Sequence, residues 1–153
     1  MFLKALNTLV DAKAETTENL QRLIDTVCRT DSLVAEQESL EQELGIIVEN
    51  LTNLIRENAR VAQDQEEYAK KEEKLRTIYG EKHNRFQELE TLIQEKNDTK
   101  EILTNFINSL CDLTGELTEF REELWGGLVD HIRVDSERNS TVVFRGGMEV
   151  TLK

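Results

Sequence analysis

Two apolar seams of heptad rhythm occupy the sequence between Leu33 and Leu110. In the first, positions 33, 37, 40, 44, 47, 51, 54, 58 and 61 advance by alternating four and three residues, and only Gln37 and Asn58 among them are polar. In the second the same rhythm runs 68, 72, 75, 79, 82, 86, 89, 93, 96, 100, 103, 107 and 110, with apolar residues everywhere except Glu72, Lys82, Lys96 and Lys100. A stripe sustained over so many turns is the mark of helices that wind around a partner. The seams are separated by ENARVAQDQEEY, which has no apolar stripe. It offers Asn58 and Asp64 as caps for a new helix and Glu66 and Glu67 for that helix's first turn.

The partner is available within the chain. A return at Asn58–Gln65 predicts an antiparallel coiled-coil hairpin. A parallel homodimer of one unbroken helix from 33 to 110 buries the same seams, and the chain has no proline to exclude it. Both seams restart in fresh phase around the polar break, which favours the hairpin. Its arms, of roughly 30 residues, predict a projection about 45 Å long at 1.5 Å per residue. Gly45 and Gly80 fall near each other halfway along it. They are either tolerated surface glycines or a candidate hinge, since glycine weakens a helix interior by about 1 kcal/mol.

The flanking segments read differently. Residues 2 to 28 carry an amphipathic pattern in Phe2, Leu6, Leu9 and Val10, then Leu20, Leu23, Ile24 and Val27. The polar stretch from Asp11 to Asn19 leaves one helix with a solvated centre competing with two short ones. Asp31 or Ser32 is expected to cap the next helix. Past the polar gap from Lys96 to Lys100, the residues Leu103, Phe106, Ile107 and Leu110 need another surface, and the N-terminal helix offers it.

From Thr118, a possible cap, a helix with Phe120, Leu124, Trp125, Leu128 and Val129 on its inner side is predicted. Period two then takes over. Ile132 and Val134 oppose His131, Arg133 and Asp135, residues 136–139 turn, Val142 and Phe144 point inward, and Gly146-Gly147 reverses the chain into Met148, Val150 and Leu152. The expected fold is mainly α, a long antiparallel coiled-coil hairpin on a small α+β base with a C-terminal three-stranded antiparallel sheet. Its segments are a base helix at 1–32, the hairpin at 33–98 with its tip near 58–66, and base helices and strands at 99–153.

Composition limits the function. The chain of 153 residues is one-third charged, five per cent aromatic and carries a net charge of -12, as suits long solvated helices. Such acidity disfavours nucleic-acid binding by the bulk of the molecule. From His131 onward the balance is four basic residues (Arg133, Arg138, Arg145, Lys153) against three acidic ones (Asp135, Glu137, Glu149), so the remainder carries -13. Arg133, Arg138 and Arg145 are therefore candidate contacts to a DNA backbone.

No catalytic constellation, phosphate-binding glycine loop or metal-ligand spacing is present, and His83 and His131 read as structural or exposed. Cys28 and Cys111 are too few for a disulfide framework or a zinc site. The hairpin sets Cys28 beside Thr99 and Cys111 beside Thr16, with the two thiols roughly 18 Å apart, so both are expected free and buried in a reducing, cytoplasmic setting. No secretory signal or membrane-spanning run is expected. Val61, Ala62, Gln65 and Tyr68 form a candidate contact surface at the tip.

FLKALNTLV at the start, the charged hairpin with ENARVAQDQEEY at its turn, and LTEFREELWGGLVDHIRV…TVVFRGGMEV at the end together resemble the C-terminal part of large serine recombinases. These are the integrases and transposases of phages and mobile elements. The likeness spans essentially the whole chain and is most specific in Glu119-Phe120, Leu124-Trp125, Leu128-Val129, the strand from Ile132 to Val134, and Phe144 followed by glycine and Glu149. It implies a fragment comprising the end of a zinc-ribbon domain with its inserted coiled coil. The serine-bearing catalytic domain and the zinc ligands would lie before Met1, so no catalytic residue and no metal is carried over here. The implied partners are other recombinase subunits through the tip, and DNA in the full-length protein, with no membrane or small-molecule substrate. The implied role is synapsis and directional control of DNA integration and excision. The rival reading is a stand-alone coiled-coil scaffold or holdase.

Overall fold

In a computed structural model, residues 2–136 and 139–152 are described; Arg138 lies outside them. The chain is mainly helical and ends in a small sheet. The elements are α1 (Phe2–Asp11), α2 (Lys13–Val27), α3 (Asp31–Arg60), α4 (Gln65–Asp112), α5 (Glu122–Leu128), β1 (Val129–Val134), β2 (Ser140–Phe144) and β3 (Glu149–Leu152). Two compact units result, one from 1–29 with 96–153 and the other from 30–95.

The first unit is built on one apolar core. Phe2, Ala5, Leu6 and Leu9 of α1 are buried with Leu20, Ile24 and Cys28, and Leu103, Phe106, Ile107 and Leu110 of α4 join the same cluster. The N-terminal segment is two helices, parted at Ala12, where ψ opens to 10° while the amide of Ala12 still donates to Thr8 O at 3.2 Å. The buried line of α2 is narrower than its apolar pattern: Thr16, Leu20 and Ile24 face the core at four-residue steps, whereas Leu23 and Val27 are exposed. Lys13 Nζ donates to Cys111 O at 2.6 Å and Leu113 O at 2.9 Å. A cation thus meets the open carbonyls at the C-terminus of α4. Asn7 holds the following loop by two bonds to the backbone of Leu117.

The sheet is antiparallel in the order β1-β2-β3. Its rows run Ile132, Val142, Val150 and Val134, Ser140, Leu152 on one face, and Arg133, Thr141, Thr151 on the other. Val142, Phe144 and Leu152 are buried as the alternation predicts. Ile132 and Val134 are not: they are 38% and 62% exposed. β1 is an edge strand and α1 packs on β3 at the opposite edge, so the covering helix does not extend over β1. The amide of Gly147 (φ 80°) donates to Phe144 O and that of Phe144 to Met148 O, both at 2.8 Å. This is a three-residue hairpin loop whose last position needs a left-handed residue. Gly146 is required for a different reason: a Cβ there would stand 2.7 Å from Phe106 Cδ1.

Several local expectations are corrected. Residues 118–121 are not helical, and α5 begins only at Glu122, with Arg121 at its N-cap and no side-chain cap bond. Thr118 is thus not the cap. Phe120 is 57% exposed, although its ring stays 5.4 Å from that of Phe2. Thr30, rather than Asp31 or Ser32, occupies the N-cap of α3. Cys28 is buried but Cys111 is exposed: it lies in the last turn of α4, at the flank of the face that carries Leu103, Phe106, Ile107 and Leu110 and about 100° from Leu110.

In the second unit, helix is interrupted at residues 61–64, which removes the unbroken helix from 33 to 110. Burial follows the seam. Leu40, Ile47 and Leu89 are buried, and the other seam positions from 33 to 58 and from 68 to 96 are at least partly shielded, while Val61 is exposed. Gly45 and Gly80 lie inside α3 and α4, and a Cβ at either would meet nothing within 4 Å.

Candidate functional site

The break between α3 and α4 is built by polar side chains. Val61 ends α3 in an extended conformation (φ -128°, ψ 133°), its amide still bonded to Glu57 O. Asp64 Oδ1 accepts from the amides of Glu66 (2.9 Å) and Glu67 (3.3 Å), which satisfies two of the free donors of the new helix. Gln65 Nε2 donates to Asn58 Oδ1 at 3.1 Å and to Gln63 O at 3.2 Å. The side-chain oxygen of Asn58, a polar intruder in the seam, thereby has a donor. Val61, at 63% exposure, and Ala62 are left to solvent, whereas Tyr68 is half-buried. Partial burial first, and then the hydrogen bond to Glu72, hold the Tyr68 phenol above its ordinary pKa.

Two ion pairs join distant parts of the unit. Lys82 Nζ donates to Glu43, and Arg85 donates to both oxygens of Glu36 at 2.8 and 3.1 Å. Lys82 reads in the sequence as a defect in the seam; here it has a counter-ion. The signal was available in the glutamates at 36 and 43, one heptad apart. Hydrogen bonds from Arg85 and Lys82 are the largest cause holding the carboxyls of Glu36 and Glu43 below their usual value of 4.5. Arg76, followed by Tyr68, does the same to Glu72.

The sign of the pH effect follows. A carboxyl with a depressed folded pKa contributes stability that is present above the unfolded value and is lost as pH falls through the folded one. Lys82→Gln with Arg85→Gln should therefore melt below the parent chain at neutral pH, by a margin that closes as pH drops below 4.5. Thermal melts followed by circular dichroism over that range check it; a constant margin contradicts the assignment.

The arginines of the sheet do not converge. Arg133 on β1 donates to Glu149 Oε2 at 2.7 Å, so its charge is compensated. Arg145 is exposed, and its amide bonds Leu128 O at 2.9 Å. His131 Nδ1 lies 2.8 Å from Asp130 Oδ2, and His83 stacks on Tyr79. Among the described residues, no group of three His, Cys, Asp or Glu side chains is placed to hold a metal ion, and no helix is long and apolar enough to cross a membrane. Comparison of the chain with models of protein families, with curated proteins and with solved structures finds no match.

Proposed function

We propose that α3 and α4 pair over residues 33–98 as an antiparallel coiled coil with its tip at 58–66, and that this hairpin is a contact arm. The observation that carries the arm is the direction of its partners: Asn58 bonds Gln65, Glu43 pairs with Lys82, and Glu36 pairs with Arg85. As one number falls the other rises. The shielding of the heptad positions in both helices supports the same reading.

The arm belongs, on this proposal, to the C-terminal region of a large serine recombinase. There it joins DNA-bound subunits in synapsis and controls whether integration or excision proceeds, in the cytoplasm. The closing motif from Glu119 to Glu149 supports that class. The physics is compatible with it, since a strongly acidic helix pair avoids phosphates while weak tip contacts gain from high local concentration once subunits share one DNA complex. Arg133, Arg138 and Arg145 are secondary candidates for backbone contact, with Arg133 already engaged by Glu149. Zinc belongs to the part of the parent protein expected before Met1.

Translation of the genomic frame upstream of the Met1 codon tests the class. A serine-bearing resolvase-like domain with paired cysteines is the expected result, and an in-frame stop with its own ribosome-binding site would leave the scaffold reading in its place. In the parent recombinase, Val61→Asp with Tyr68→Ala should leave helicity unchanged and reduce synaptic complexes about tenfold, the effect of removing one weak link from a multivalent assembly. Undiminished synapsis would exclude the tip as the contact.

A further inference from the structure

A second heptad rhythm runs along α3 one residue after the seam, about 100° round the helix, with Val48 bordering Arg76 and Tyr79 of α4. Gly45, Val48, Thr52, Ile55 and Ala59 advance by three and four residues, and all five are exposed. Val48 and Ile55 remain 48% and 46% accessible. Thr52 donates its hydroxyl to Val48 O at 2.8 Å, so the hydroxyl's proton is already engaged within α3. In a chain that is one-third charged, this line of about 21 Å contains no ionisable residue. Its charges begin at the rims, with Glu41 and Arg60 beyond the ends and Glu49 and Arg56 along one flank.

The structure assigns this stripe as a self-association surface: α3 pairs antiparallel, through Gly45, Val48, Thr52, Ile55 and Ala59, with α3 of a second copy of this chain. Antiparallel packing about a two-fold axis between residues 53 and 54 places Thr52 against Ile55 of the second copy, and Val48 against its Ala59. Each layer sets a small residue against a larger one, which lets the helices approach closely and fill the space. A glycine with open space at its Cβ position extends the close approach.

Charge selects the occupant. In this register Glu49 of one copy lies across from Arg56 of the other, and the symmetry repeats the pair. Isologous pairing of one patch with itself is the commonest route to a dimer. The inference is independent of the recombinase assignment.

Sedimentation equilibrium of the full chain tests it. A contact of this size is smaller than a standard stable interface, so a reversible dimer with a dissociation constant of about 10–1,000 µM is expected. Val48→Glu with Ile55→Glu should leave a monomer at every concentration, with helical circular dichroism retained because neither side chain belongs to the buried core. Glu49→Arg or Arg56→Glu alone should weaken association about tenfold through like-charge contacts, and the two together should restore it. A monomer at about 1 mM, a dimer indifferent to the paired glutamates, or a failure of the double charge reversal to restore association would each overturn the proposal.

Discussion

Phe106→Ala is expected to destabilise the unit formed by 1–29 and 96–153 by about 3–5 kcal/mol, the usual cost of emptying a buried aromatic site. Phe106 is only 1% exposed, and its ring centre lies 6.4 Å from that of Phe144. The Cδ1–Cε1 side of the ring occupies the space left by Gly146, where a Cβ would also stand 3.2 Å from Leu20 Cδ1. The site therefore ties α2, α4 and the β2–β3 loop together. Gly146→Ala offers the opposite perturbation, an added group without room, and should cost about 1–3 kcal/mol. Phe106→Leu with Gly146→Ala should cost less than the two changes summed, because the smaller side chain yields where the ring cannot. Trp125, the single tryptophan, has its ring centre 5.1 Å from that of Phe2 in this core. Its fluorescence during denaturation reads all three variants. A loss below about 1 kcal/mol for Phe106→Ala would mean the core does not close on this ring.

Leu89→Ala should be the most damaging single truncation in the 30–95 unit, at about 2–5 kcal/mol, and Leu92→Ala three positions later should cost less than about 1 kcal/mol. Leu89 is completely buried and Leu92 is 39% exposed. Chemistry and helix propensity are the same at both sites, so the contrast reads only the phase of the seam. Thermal loss of helicity followed by circular dichroism is the measurement. Equal losses at the two positions would show that Leu89 has no partner surface in solution.

Much of this architecture is legible residue by residue because helices and strands imprint their own periods on the sequence. The shielding of positions 33 to 58 and 68 to 96, the break at 61–64, the cap at Asp64 and the alternation of Val142 and Phe144 depend on local geometry and short-range spacing. The candidate tip is local in the same sense, since Val61, Ala62, Gln65 and Tyr68 are set by where one helix stops and the next begins. The failures are cases where a distant element decides. Ile132 and Val134 have the right alternation, but a strand's apolar face is buried only if a layer covers it, and α1 lies at the other edge. Thr118 has the right chemistry for a cap, yet the loop there is held instead through Asn7 and Leu117. Cys111 was expected to be buried from its level along a hairpin. Level fixes height along a helix, whereas exposure depends on azimuth.

The sequence by itself determined the mainly helical class, the heptad phase of both long helices, the polar break between them and the three-strand sheet at the end. These are consequences of side-chain period, capping chemistry and turn residues within a few positions of one another. Only the tertiary structure decided that Lys13 closes the end of α4, that Gly146 makes room for Phe106, and that Arg133 spends its charge on Glu149. Each of these joins residues far apart in the chain. Such contacts depend on three-dimensional packing and charge complementarity, which no local periodicity encodes.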